Sequence, residues 1–130
     1  MAIERIDDPN TNRGLQAAII AEQNDAFRKA MCGFAEIGDT PQGMIVMTRG
    51  VHEEGPAFHM VLLERVAQFC DFTFDNDPQG WHEFGEVVVN DKRVWFKLDL
   101  YDAAYEMGSE VPHDPQQTRR VMTLLFPSEY

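Results

Sequence analysis

Apolar residues recur at helical spacing through the first half of the chain and alternate through most of the second. From Leu15 to about Met31, the residues Leu15, Ile19, Ile20, Ala26, Phe27, Ala30 and Met31 fall on one broad face at about 100° per residue. Glu22, Asp25, Arg28 and Lys29 fall opposite. The pattern predicts a helix, with Asn10, Thr11 or Asn12 as its cap and Gly33 and Gly38 as the way out of it. Residues 1–13 are polar and are expected to be loosely ordered. Thr40-Pro41-Gln42-Gly43 is a turn signal, and Met44 to Thr48 reads as a short buried strand. The stretch His52-Glu53-Glu54-Gly55-Pro56 reads as a loop or helix entry. A second helix then runs to about Asp71, with Phe58, Leu62, Val66, Phe69 and Cys70 at three- and four-residue spacing.

Beyond Gly85 the period changes. Phe84 to Val89 reads as a strand, Asn90-Asp91 as a hairpin turn, and Arg93 to Tyr101 as the return strand. In the return strand Val94, Phe96, Leu98 and Leu100 share one face; Arg93, Trp95, Lys97, Asp99 and Tyr101 share the other. Asp102 to Gln117 has no sustained period, and Gly108, Pro112 and Pro115 make it a long structured loop. Thr118 to Phe126 is the last strand, stopped by Pro127. The order α-β-α-β-β-β predicts an α+β fold, two helices on one face of a small, mostly antiparallel sheet, with residues 14–130 as one domain.

Composition narrows the class. A chain of 130 residues with 44% hydrophobic positions suffices for one cored domain. No apolar run approaches the ~20 residues of a membrane span. The acidic N-terminus lacks the basic-then-apolar order of a signal peptide. Cys32 and Cys70 form no C-x-x-C, so reduced thiols in the core of a cytoplasmic protein are expected. The net charge is −11. Between Asp71 and Asp114 only Lys92, Arg93 and Lys97 oppose a long series of acids. That argues against direct contact with nucleic acid or an anionic membrane. It leaves a basic protein surface, cations, or plain solubility.

The acids are densest around Asp75-Asn76-Asp77-Pro78-Gln79-Gly80-Trp81-His82-Glu83-Phe84-Gly85. Three chemistries fit that stretch. In the first, Asp75, Asp77, Gln79, Gly80 and Glu86 nearly match the calcium-loop spacing D-x-[DN]-x-[DN]-G-x₅-E, whose cation wants about six to eight oxygens. Gln79, His82 and the strand-like Val87-Val88-Val89 depart from it, and an Asx-rich turn explains the same residues without a cation. In the second, Asp75, Asp77, His82, Glu83, Asp99 and Asp102 converge on Mg²⁺ or Mn²⁺, with His82 as a base. No H-E-x-x-H order accompanies them. In the third, Asp71, Asp75, Asp77, Glu83, Asp99 and Asp102 face a basic partner and Trp81 is the anchor. The plain alternative to that is a solvated acidic face with its aromatics, Phe72 and Phe74 among them, partly in the core. Nucleophile and phosphate-loop motifs are absent. Arg119 or Arg120 is expected to pair with Asp99, Asp102 or Asp114 and fix the long loop.

Taken together, these residues resemble the bacterial family called domain of unknown function 3768. The resemblance is carried by Asn24-Asp25-x-Phe27-Arg28, Thr48-x-Gly50-Val51, Phe69-x-x-Phe72 and Asp75-Asn76-Asp77-Pro78-x-Gly80-x-His82-x-Phe84-Gly85. It continues through Lys97-x-Asp99-x-Tyr101-Asp102, Gly108-Ser109-x-x-Pro112-x-Asp114-Pro115, Thr118-Arg119-x-Val121-x-Thr123 and Ser128-Glu129-Tyr130. Trp81 stands where such proteins usually carry an acid, and Leu100 where an aromatic is usual. The resemblance brings no assigned activity. Such proteins look typical of plasmids and other mobile elements, which implies conflict with host defences. The expectation is a non-enzymatic acidic protein that occupies a basic, nucleic-acid-binding surface of a partner, as an anti-CRISPR or anti-restriction inhibitor would. The alternative is a metal-dependent enzyme or metal-binding protein that holds Ca²⁺ or Mg²⁺/Mn²⁺ through Asp75, Asp77, His82, Glu83 and Glu86.

Overall fold

The structure, a computed structural model, describes residues 9–38 and 40–130. Helix α1 spans Pro9–Met31, strand β1 Gly43–Met47, helix α2 Arg49–Glu53 and helix α3 Pro56–Gln68. Strands β2 (Phe84–Val89), β3 (Lys92–Tyr101) and β4 (Arg119–Leu125) follow, and a 3₁₀ turn at Pro127–Glu129 ends the chain. The fold is α+β, as expected, with three helices and a four-stranded mixed sheet. Among the described residues no helix is long and apolar enough to cross a membrane.

Local chemistry accounts for most boundaries. Proline at the start of α1 lacks the amide that a first turn leaves unpaired. Residues 9–13, expected to be loose, therefore belong to the helix, while residues 1–8 lie outside the described ones. Gly33, at φ 85°, closes α1. Its amide bonds Ala30 O and the Phe34 amide bonds Lys29 O, the paired pattern that satisfies two terminal carbonyls. Asn90 and Asp91 both take left-handed φ, 50° and 63°, as a two-residue hairpin turn between β2 and β3 requires.

The sheet order is β1-β4-β3-β2. β2–β3 and β3–β4 are antiparallel, whereas β1 runs parallel to β4. Alternation in β3 survives intact: Val94, Phe96 and Leu98 are buried and Leu100 packs against the core. They meet Phe27 from α1, Val51 from α2, and Phe58, Leu62 and Val66 from α3. Each such side chain, fully buried, contributes roughly 1.5–3 kcal/mol. Cys32 joins this cluster, where burial pushes its thiol up to about 12 and leaves it inert as a nucleophile.

Helix α1 buries Ile20, Phe27 and Ala30 of the stripe that periodicity assigns to it, but not the whole of that stripe. Leu15 and Ile19 are exposed, while Asn24 and Arg28 are buried. The physical reason lies in what faces the helix, namely backbone carbonyls and polar groups of the loop after α3 and of β4.

The C-terminal turn locks α2 in place. The Glu129 carboxylate accepts from Thr48 Oγ1 at 2.6 Å and from the amides of Gly50 and Phe126, each at 2.9 Å. The Thr48 hydroxyl, then those amides, hold its carboxyl below the usual 4.5. A lowered folded value means that this stability is present above the unfolded pKa and is lost as pH falls through the folded one. Glu129→Gln is therefore expected to cost about 0.5–1 kcal/mol near neutral pH, discounted for the exposure of the group. The gap to wild type should narrow progressively as pH falls below the usual 4.5, read in urea midpoints. A gap that stays constant from pH 7 to pH 3 would show that the charge is not what matters.

Candidate functional site

The segment between α3 and β2 is built by its own side chains. The Thr73 amide donates to Asn76 Oδ1 at 2.8 Å, and the Asn76 amide to Thr73 Oγ1 at 3.3 Å. Asn76 Nδ2 reaches back to Asp71 O at 2.9 Å, and the Asp77 amide closes on Thr73 O at 2.8 Å. Asp77 is only 9% exposed. Its Oδ1 accepts from the Trp81 amide at 3.0 Å and, with Oδ2, from the His82 amide at 3.2 Å. Carboxylate-to-amide bonds of this kind fix an otherwise strained chain: Gly80 has φ 72° and His82 φ 57°. The Asx-rich turn is thus real for Asn76 and Asp77, while Asp75 stays exposed.

Helix α1 then clamps the loop. Asn24 Nδ2 donates to Trp81 O at 2.9 Å, and Asn24 Oδ1 accepts from Arg120 Nε at 2.6 Å. Asp25 Oδ2 accepts from His82 Nδ1 at 2.9 Å, and Asp25 Oδ1 from Arg28 Nη1 at 2.9 Å. Arg28, 1% exposed, also donates to Val66 O and Phe69 O, each at 2.9 Å. Phe72 stacks on His82, with centroids 3.9 Å apart and planes 1° from parallel, and the Arg28 guanidinium lies 5.3 Å from the Phe72 centroid. Polar residues at i, i+1 and i+4 of an apolar helix were the available sign of this hub, which periodicity places on the outer face.

Arg120 corrects a second expectation. Among the described residues it pairs with no acid; Nε and Nη2 bond Asn24 and Gln23, and burial lowers its pKa to about 10. Its place on the inward face of β4, opposite Leu100, directs it to α1 rather than to the long loop. Arg119 donates to Gln116 O and Thr118 O instead. Asp114 serves the Gln116 amide and Gln117 Nε2, and Asp102 Oδ1 accepts from the amides of Ala104 and Glu106. The loop is fixed by Ser109 and Thr118, whose hydroxyls sit 2.8 Å apart, with Thr118 donating to Val111 O.

The remaining candidates scatter. Asp99 pairs with Lys97 at 2.8 Å, and that bond holds the ammonium above its usual range. Glu83 is half-buried; desolvation first, then Asp77 and Asp99, raises its pKa. Glu86 lies on the same sheet face as Asp99 but is engaged elsewhere, accepting from Trp95 Nε1 at 2.9 Å. Among the described residues no three His, Cys, Asp or Glu side chains gather closely enough to hold a metal ion. Trp81, the expected anchor, is partly buried. The exposed group is Asp71, Phe74 and Asp75, with Phe74 at 84%. Beside the hub, a groove of about 750 Å³ is lined by Asp25, Lys29, Glu36 and His82 among others.

The family model described as "Protein of unknown function (DUF3768)" matches residues 47–129. That range takes in the loop, strands β2, β3 and β4 and Glu129, and leaves out most of β1 and Asn24, Asp25 and Arg28 in α1. No curated protein and no solved structure matches the chain. The match covers well over half of the 130 residues, and the chain belongs to the DUF3768 family.

Proposed function

We propose that the protein is a binding protein rather than an enzyme, and that the turn from Asp71 to Asp77 enters a basic surface on a partner protein. The observation that supports this most is the exposure of Phe74. Leaving a phenyl ring in water forgoes roughly 1.5–3 kcal/mol of burial. Single exposed apolar residues are common, but this one stands in a turn cross-braced by Thr73, Asn76 and Asp77. A rigid aromatic tip loses little entropy on binding. Exposed Asp71 and Asp75 flank it, and a net charge of −11 steers the whole molecule toward positive surfaces. Surfaces that carry nucleic-acid phosphates have that charge. With a resemblance to proteins of mobile elements, an inhibitor of CRISPR or restriction machinery is the most concrete form of the reading. The metal-dependent alternative gains no support from this geometry, because Asp77 is occupied by amides and Glu86 by Trp95.

The test is capture from nuclease-treated bacterial lysate at low and moderate salt, with wild type, Phe74→Ala and Asp71→Lys/Asp75→Lys as baits. One stoichiometric partner is expected with wild type, weakening as salt rises. Phe74→Ala should lower affinity by roughly 30-fold, about 2 kcal/mol, and the double Lys variant should abolish capture. Both variants alter exposed side chains and should melt with wild type. If all three baits retain the same proteins, the turn is not the binding element.

A further inference from the structure

The sheet has a second face, and its register is self-complementary. Opposite the core, β1 presents Met44 and Val46, β4 presents Val121 and Thr123, and β3 presents Trp95, Lys97, Asp99 and Tyr101. Among the described residues no helix covers this face. Phe27 of α1, Val51 of α2 and Phe58, Leu62 and Val66 of α3 join the cluster on the other side. Met44 is 42% and Val46 38% exposed. Trp95 lies between Phe84 and Tyr130, with centroids 5.2 Å and 5.9 Å away, and Tyr130 is 85% exposed. Apolar side chains left partly open on an uncovered sheet face are the composition of an interface core.

Charge selects the occupant. The chain carries −11, so most of its surface repels a second copy. This face does not, since Arg93, Lys97 and Arg119 on it offset Glu86 and Asp99. A basic partner would be drawn elsewhere on the molecule, and a like-charged copy can approach here.

We propose that two copies of the chain pair through this face about a twofold axis. The axis runs across the strands at the level of Ile45, Met122 and Leu98, which are in register. A rotation about it carries β1, β3 and β4 over their own equivalents, reversed, while β2 lies to one side of the axis. Asp99 of one copy then lies over Lys97 of the other, and the reverse, as an isologous contact demands. Val121 lies over Thr123, Met44 over Val46, and Trp95 over Tyr101. Met44 thus meets Val46, aromatic meets aromatic and acid meets base, while Val121 meets the methyl of Thr123 and Arg119 falls over Leu125, and stacked sheets tolerate the roughly 30° crossing that their twist imposes. The overlapping parts of β1, β3 and β4, 5, 7 and 7 residues at ~3.3 Å per residue and ~4.8 Å apart, give about 300 Å² in plan. That is a small interface against the ~800 Å² per partner of a standard one, so the dissociation constant falls in the micromolar range.

Sedimentation equilibrium from about 1 to about 200 µM tests this, on wild type, Lys97→Asp, Asp99→Lys and a 1:1 mixture of the two variants. Wild type should pass from 14.9 kDa toward twice that mass as concentration rises. Each variant alone faces like charge with like charge and should stay monomeric, with at least a tenfold weaker association. The mixture restores opposite charges at both contacts, and the dimer mass should return. A misfolded variant could not produce that rescue. Wild type that remains at 14.9 kDa throughout overturns the proposal. So do single variants that dimerise as well as wild type, or a mixture that fails to gain mass.

Discussion

Arg28→Ala is expected to destabilise the protein by about 3–5 kcal/mol, the range for breaking a buried, hydrogen-bonded charge. The side chain is 1% exposed, and all three of its nitrogens are engaged. Truncation leaves Phe69 O without its donor at the end of α3, and Val66 O with only the 3.4 Å bond from the Phe69 amide. An orphaned buried acceptor costs about 1–3 kcal/mol by itself. The cavity left beside Phe72 and Phe96 adds to that, because the guanidinium lies 5.3 Å from each ring centroid. For a chain of this size the melting temperature should fall by roughly 10–20 °C. Arg28→Lys should lose about half as much, since an ammonium cannot address two carbonyls and a carboxylate in a fixed fork. The loss should also be felt in the loop. Asp25 holds His82 on one oxygen and Arg28 on the other, and Phe72 lies between Arg28 and His82. Amides of Trp81 and His82 should exchange faster in Arg28→Ala than in wild type, relative to the amides of β3. An Arg28→Ala protein within about 1 kcal/mol of wild type in urea would mean that water replaces the guanidinium and that the hub carries little of the fold.

Arg28 also shows why part of the molecule is legible in its sequence and part is not. Hydrophobic periodicity reports which side chains avoid water, so it finds β3, the Asn90-Asp91 turn and the Gly33 exit, where local conformation and burial agree. It does not report where a polar side chain will find partners. Asn24 and Arg28 are buried because Trp81, Val66, Phe69 and Arg120 arrive from distant parts of the chain. The same limit misplaces Arg120, whose burial is set by β4 pairing on both sides with β3 and β1. The parallel β1–β4 contact is equally invisible, since no short-range signal fixes which strands meet. In the loop, turn chemistry identifies Asn76 and Asp77 as backbone ligands, and alternation places at least one of Phe72 and Phe74 inward. Only the docking of Phe72 on His82 decides that Phe74 is the one in water. Asp25, which sequence reasoning left on the outer face of a helix, became a site residue through that same docking.

Gly43→Ala should be as damaging as the loss of Arg28, by a steric route. Gly43 pairs with Arg120 at the start of the parallel β1–β4 ladder. A Cβ built there overlaps the carbonyl oxygen of Arg120 and comes to 2.7 Å from Cε1 of Phe27. A flexible side chain could move aside, but a β4 carbonyl cannot, since Arg120 N is tied to Gln42 O at 2.9 Å and the strand continues into its pairing with β3. The added methyl must therefore part the first residues of β1 from β4 or displace Arg120. Overpacking that has no soft neighbour costs about 3 kcal/mol or more. Displacing Arg120 would carry further, because its Nε holds Asn24, and Asn24 holds Trp81 O. The edge of the sheet and the acidic turn are thus joined by a chain of buried polar contacts, and a methyl group at one end should loosen the other. Gly14→Ala supplies the contrast, since a Cβ there has nothing within 4 Å and the residue lies inside α1. That change should stabilise the protein by about 0.5–1 kcal/mol through helix propensity alone. Urea unfolding of the two variants side by side separates the mechanisms. Opposite signs are expected, and a Gly43→Ala protein as stable as wild type would mean that β1 does not sit against β4 in the register described.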